Sequence, residues 1–290
     1  MKSYTKYFWF FVTPALILLL AFYILPILIA VVISFTDMDL ASMGNLSLLN
    51  FIGFDNYRDL FTDEEFRKVL FNTFYYVIIG VPLVVIFSLL IATAINSLSQ
   101  KTSEIFRGIY YLPSITNIVA VSFVWMFLYS TSNGLINYIL MNSNIIQEPI
   151  KWLTDPSVAK LSLIILSLWK GIGLNMIIFL AAIKGIPQDY YEASVIDGAN
   201  RFQQYFKITI PQLRYAIFFV IITTTIGWMQ FFDEVFVMIQ RESANAKSIA
   251  LFIYENGFSN NNYGYASAAS IILFIIILII TIVELKLRKE

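Results

Sequence analysis

Charged residues in this 290-residue chain fall in clusters, and between the clusters run uncharged stretches long enough to cross a bilayer. A charge at mid-bilayer costs on the order of 3 kcal/mol, so uncharged runs mark spans more sharply than counts of apolar residues do. Six candidates emerge, at about 8–35, 69–95, 111–129, 161–183, 215–238 and 266–283, the fourth interrupted by Lys170. Each meets the requirement of about 20 residues for a hydrocarbon core of about 30 Å. The expected fold is therefore all-α and integral to the membrane, one transmembrane domain over 1–290 with six spanning helices and no room for a separate soluble domain. Pro14, Pro26 and Pro82 lie inside the runs, where neighbouring helices re-satisfy the freed carbonyls and proline is tolerated as a kink. The first run is too long for a signal-peptide core and lacks a small-residue cleavage site, so it is expected to stay as a helix.

Composition agrees: 59% of residues are hydrophobic and 13% charged, against about 25% charged in soluble domains. Formal net charge is zero, which gives no reason to expect a nucleic-acid partner. The chain has no Cys and no His, which removes disulfides, thiolate nucleophiles, imidazole bases and most zinc and haem sites; no metal site is expected.

Lys and Arg set the orientation. With both termini inside, eleven fall on the cytoplasmic side: Lys2, Lys6, Lys101, Arg107, Lys184, Arg201, Lys207, Arg214, Lys286, Arg288 and Lys289. Seven fall outside (Arg58, Arg67, Lys68, Lys151, Lys160, Arg241 and Lys247), and the first outer loop also holds seven acids. The bias favours an inside N-terminus and an inside C-terminus.

The cytoplasmic loop 184–214 between spans four and five reads as a helix-turn-helix. Pro187 suits a helix start, Asp189 and Glu192 suit its positive end, and Gly198 suits a left-handed stop. A second helix from about Arg201 is expected to put Phe202, Tyr205 and Phe206 on one apolar face before Pro211 ends it. Ala193, Ser194, Gly198 and Ala199 are small enough to let another backbone approach. An ordinary interfacial amphipathic loop fits the same pattern.

Glu192-Ala-Ser-x-x-x-Gly198, followed by Ile208-Thr-Ile-Pro211, resembles the EAA signature of ATP-binding-cassette importer permeases. The fuller Ile186-Pro-x-x-x-Tyr-Glu-Ala-Ser-x-x-Asp197-Gly198-Ala199 resembles the carbohydrate-uptake subfamily of maltose type. Other pieces resemble the family in order along the chain: Pro26, Ser34-Phe35-Thr36, Gly53, Asn56-Tyr57, Asn72-Thr73, Arg107, Leu112-Pro113, Gly134, Asn137, Trp152-Leu153, Trp169-Lys170-Gly171, and Gly264 to Ala268. Two departures stand out. Ser194 takes a place that is usually Ala, and Gln240-Arg-Glu-Ser-Ala-Asn stands where a Gly-Gly-Pro turn is usual.

The resemblance implies a bacterial cell-membrane importer subunit forming half of a pathway for a sugar or oligosaccharide. It implies a coupling loop made by Tyr191, Glu192, Ala193, Ser194, Asp197, Gly198 and Ala199, seated in an ATPase subunit. Further implied partners are a second homologous permease, an ATPase dimer that binds the ATP and Mg, and an extracytoplasmic solute-binding protein. The chain itself has no GxxxxGK[ST] loop.

A sugar site needs aromatic faces and neutral hydrogen-bonding groups in an apolar cavity. Candidates within the spans are Asn117, Ser122, Trp125, Trp169, Gly173, Asn175, Trp228, Gln230 and Phe231, with Asn175 and Gln230 foremost. Lys170 lies deep in span four, where a charge must face a cavity or a partner; pairing with Asp233 or Glu234 is the other role open to it. A lone Asn or Ser in a span also bonds neighbouring helices, and Trp also anchors interfaces. Glycerol phosphate is another substrate that fits the pattern. So does a stand-alone carrier, against which the coupling loop and the absence of two related halves speak. A membrane enzyme would have only carboxylates for acid–base work, and adjacent Asp233 and Glu234 diverge by about 100° on a helix.

Overall fold

The computed structural model describes residues 2–239 and 244–287, where every regular element is helical. Gln240, Arg241, Glu242 and Ser243, expected in the last outer loop, Arg288 and Lys289, expected in a basic C-terminal anchor, and the side chains of Lys2 and Lys6 lie outside the described residues. In chain order the helices are α1 (Lys2–Leu19), α2 (Leu25–Ile33), α3 (Leu40–Gly44), α4 (Asp55–Thr62), α5 (Glu64–Asn96), α6 (Gln100–Ile115), α7 (Ile118–Leu128) and α8 (Leu135–Asn142). There follow α9 (Ala159–Lys184), α10 (Gln188–Ile196), α11 (Arg201–Gln204), α12 (Ile210–Gln212), α13 (Arg214–Met229), α14 (Asp233–Met238), α15 (Ile249–Tyr254) and α16 (Tyr263–Leu287).

Among the described residues, Tyr7–Ile33, Glu64–Asn96, Ala159–Lys184, Arg214–Met238 and Tyr263–Leu287 are long and apolar enough to cross a membrane. Gln100–Ile115 and Ile118–Leu128 are together long and apolar enough for a sixth, counted as one broken span, but they are bent 97° from each other. The expected third span at 111–129 is thus not one straight helix. Pro113 has no N–H to give the ladder, and Thr116 and Asn117 are extended. The Asn117 side-chain oxygen then restarts the chain as a helix cap, accepting from Val119 N at 2.9 Å and Ala120 N at 3.3 Å.

The expected fifth span at 215–238 is also interrupted, leaving helical geometry at Gln230–Phe232 between α13 and α14. Nor does Pro211 end the helix begun at Arg201. A π turn at Tyr205–Thr209 carries α11 into α12, which contains Pro211. The same device, a π turn at Leu20–Ile24, precedes Pro26. One extra residue in the turn moves the carbonyl that a proline ring would strike and that it cannot donate to.

The chain divides into two compact units. One comprises residues up to Arg67 with Phe252–Ile276. Its polar knot is Asn56, whose amide donates to the carbonyls of Ser34 at 2.9 Å and Thr36 at 2.8 Å. Gly264 packs against the same strand of backbone, so closely that a Cβ there would strike the Thr36 oxygen. Asn50 clasps the base of the following loop, donating through N and Nδ2 to Asp37 at 2.8 and 2.9 Å; these bonds hold the Asp37 carboxyl below its ordinary range.

The other unit comprises Lys68–Leu251 and Ile277 onward. Its core joins Leu89, Ala92 and Ile95 of α5, Met176, Phe179, Leu180 and Ile183 of α9, then Leu213 and Val220. Gly173 lets α9 close on α6: a Cβ there would run into the Tyr110 carbonyl oxygen and come within 2.6 Å of Ser114 Oγ. By contrast, no residue of Tyr7–Ile33 is buried within the chain. An apolar surface of that length suits a bilayer.

Candidate functional site

A cavity of about 310 Å³ opens in the second unit. From α9 it takes Ser167, Lys170, Gly171, Leu174 and Asn175, whose spacing of three and four residues is one face of a helix. From α13 and the interrupted turn it takes Gly227, Trp228, Gln230, Phe231 and Phe232, and from the start of α14, Asp233 and Glu234. Ser114 of α6 closes one side.

The interruption at Gln230–Phe232 shapes this site. Phe231 is buried, stacked on Trp228 at 5.2 Å and set edge-on to Tyr76 at 5.0 Å, so its ring pulls the turn inward. Gln230 is left exposed at the cavity. Irregular backbone at membrane depth is tolerated where it is packed in protein or lines a cavity, and both conditions hold here.

The polar groups are held in register. Ser167 Oγ donates to Glu234 Oε1 at 3.2 Å, tying α9 to α14. Ser114 Oγ donates to the Lys170 carbonyl at 2.7 Å and accepts from Leu174 N at 3.2 Å, engaging both ends of one turn of α9. Asn175 Nδ2 donates to the Gly171 carbonyl at 2.9 Å, which fixes the amide and leaves its oxygen as an acceptor. Lys170 lines the cavity with Asp233 and Glu234, and its side chain forms no hydrogen bond or ion pair among the described residues. The site therefore offers one cation, two carboxylates, two amides and aromatic faces.

Of the residues expected along a pathway, the structure brings Lys170, Asn175, Gln230 and Phe231 to this cavity, and Trp228 with them. It does not bring Asn117, Ser122, Trp125 or Gly173. Asn117 caps α7, and Gly173 serves the close packing of α6 on α9. Ser122 is buried with a hydroxyl lacking a partner among the described residues. Trp125 lies in an aromatic series, 5.7 Å from Trp169 and 5.3 Å from Tyr129. Sequence reasoning missed Ser114 and Ser167. The second was detectable, since it shares a helical face with Lys170 and Gly171.

The 184–214 loop is the second candidate site. α10 ends in a complete left-handed stop: Gly198 has φ 77°, Gly198 N donates to the Val195 carbonyl at 3.0 Å and Ala199 N to the Ser194 carbonyl at 2.9 Å. Asn200 then opens α11 with a reciprocal cap, its oxygen accepting from Gln203 N at 2.9 Å and its own N–H donating to Gln203 Oε1 at 2.9 Å. Glu192, Ala193, Asp197 and Gly198 are exposed, Tyr191, Ser194 and Ala199 half-buried. Ile196 is 87% exposed, an apolar side chain left uncovered by the described residues. Phe202 and Phe206 do share a face, 4.6 Å apart.

Residues 64–288 match the family described as the binding-protein-dependent transport system inner membrane component. The chain is 36% identical over 253 residues to the lactose transport system permease protein LacF of Rhizobium radiobacter, covering 86% of this chain and 83% of that one. It is 37% identical over 263 residues to the probable ABC transporter permease protein YesP of Bacillus subtilis, covering 89% and 82%. A bacterial alginate ABC transporter, solved in complex with its periplasmic protein bound to an alginate pentasaccharide, matches with TM-score 0.81 and 26% identity over 97% of this chain and 93% of that one. The chain belongs to the binding-protein-dependent inner-membrane permeases. It is a multi-pass membrane transport subunit.

Proposed function

We propose that this chain is one of two permeases in an ATP-driven importer of a sugar or oligosaccharide, with both termini inside and the 184–214 loop docked on a separate ATPase. The observation that carries this is the capped α10, presenting exposed Ile196 and Glu192 on the loop that bears the family signature. The basic residues flanking that loop favour the cytoplasmic side, where ATP is. ATP and Mg belong to the ATPase, because this chain has no phosphate-cradling loop.

Lys170, Asn175, Gln230 and Phe231 form this permease's share of the pathway. Hydroxyls of a sugar meet the free Asn175 oxygen, the Gln230 amide and the Lys170 ammonium, and the apolar face of the ring meets Phe231 and Trp228. A lactose permease and an importer of alginate among the relatives support a saccharide as cargo. A solute-binding protein delivers it from outside.

Reconstitution tests the proposal. Lactose or a short oligosaccharide should accumulate in proteoliposomes only when this chain is present with a second permease, the ATPase, the binding protein and ATP. Sugar counterflow by this chain alone, independent of ATP, would instead establish a stand-alone carrier.

A further inference from the structure

No side chain of α10 is fully buried, and the two that are half-buried, Tyr191 and Ser194, are the ones that hydrogen-bond to the rest of the loop. The Tyr191 hydroxyl lies 2.9 Å from Thr209 Oγ1. Gln204 Nε2 donates to Ser194 Oγ at 2.9 Å, and that hydroxyl donates in turn to the Tyr191 carbonyl at 2.7 Å. Both latches run from α10 to the second arm of the loop, one at each end of the π turn that begins at Tyr205.

Thr209 stands at the root of span five. It is buried, it is the last residue of the π turn, and its carbonyl accepts from Leu213 N at 3.0 Å. Leu213 N–H and carbonyl continue that ladder, the carbonyl taking Ile217 N at 2.8 Å, while the Leu213 side chain sits in the core with Phe179, Leu180 and Ile183. A continuous path therefore leads from α10 through Thr209 into α13 and the core. Among the described residues, these two latches are the side-chain hydrogen bonds from α10 to the second arm.

On the docking of this loop proposed above, we infer that Thr209 and Gln204 are positioning residues that, through Tyr191 and Ser194, deliver movement of the ATPase-bound helix to span five. Ser194 is specific to this arrangement. The alanine usual at that place has no oxygen to offer Gln204, so the second latch exists because this chain carries serine there.

The test uses the assembled transporter, with the separate variants Thr209→Val and Gln204→Met and the two combined. Thr209 is buried, and Gln204 lines a groove with Tyr191, Glu192 and Val195, so co-purification of the ATPase is measured for each variant and should be as before. ATP hydrolysed per sugar imported should rise about tenfold in the combined variant, the factor set by losing two hydrogen bonds of ordinary strength. Thr209→Ser, which keeps the hydroxyl, should restore the ratio in an otherwise wild-type chain. An unchanged ratio in the combined variant overturns the inference. So does loss of the bound ATPase, a parallel fall of hydrolysis and transport, or a Thr209→Ser variant that behaves like Thr209→Val. Failure of the docking proposal itself is visible separately, as an undisturbed Gly198→Val transporter.

Discussion

Gly80 of α5 lies directly beneath the ring of Trp228, so closely that a Cβ at Gly80 would sit 2.6 Å from Trp228 Cε3 and nearer still to the outer ring atoms. Trp228 in turn stacks on Phe231, whose burial sets the interrupted turn at Gln230. A small residue on span two thus decides the shape of the cavity on span five. Gly80→Val should cost about 1–3 kcal/mol by overpacking and push the two rings toward the cavity. A lower melting temperature together with a raised KM for sugar is the expected result. Unchanged values for both would mean that Trp228 moves aside without consequence.

Asn175→Ala and Gln230→Ala should each weaken transport and substrate-stimulated ATP hydrolysis while leaving assembly intact. The hydrogen bonds removed are worth about 0.5–1.5 kcal/mol apiece, up to roughly a tenfold change in apparent affinity. Gly173→Val should do the opposite: the Tyr110 carbonyl blocks the added carbons, so yield of folded permease falls before affinity changes. Apparent affinity for sugar and recovery of monodisperse complex, read side by side, separate the two kinds of residue. Equal affinity loss from Gly173→Val and Asn175→Ala would contradict the placement of Gly173 in packing.

Much of this was legible in the sequence, and the exceptions have physical causes. Charges mark where a chain leaves the bilayer, so the six runs were visible, as was the Gly198 stop. Interruptions inside an uncharged run leave no such mark. The turn at Gln230 depends on Tyr76 and Trp228 embracing Phe231, a contact between helices far apart in sequence. The bend at Thr116–Asn117 had local signs, in Pro113 and a capping Asn, yet each is also tolerated within a continuous span. Pro211 misled because a π turn upstream removes the clash that would end the helix. In the cavity, Lys170 and Asn175 stood out as polar residues on a spanning helix; Asn117 and Ser122 looked alike in sequence, but the first caps α7 and the second lies buried away from this cavity.

Orientation can be read chemically, because the chain has no cysteine to interfere. Asp59→Cys on α4 and Asp189→Cys on α10 both replace exposed residues. In right-side-out vesicles a membrane-impermeant maleimide should label Asp59→Cys and reach Asp189→Cys only after permeabilisation. The reverse pattern would place both termini outside and remove the loop from ATP.

Coupling through the 184–214 loop is the central claim, and Gly198 is its most sensitive position. At φ 77° a β-branched residue is strained whatever the space around it, by about 1–2 kcal/mol, and its side chain would stand on the surface proposed to meet the ATPase. The measurement is co-purification of the ATPase and sugar transport in the same Gly198→Val preparation, with membrane insertion verified. The ATPase should be bound loosely or lost and transport abolished, while sugar still binds the external receptor normally. A correctly inserted Gly198→Val permease that retains its ATPase and transports at the normal rate would contradict the coupling assignment.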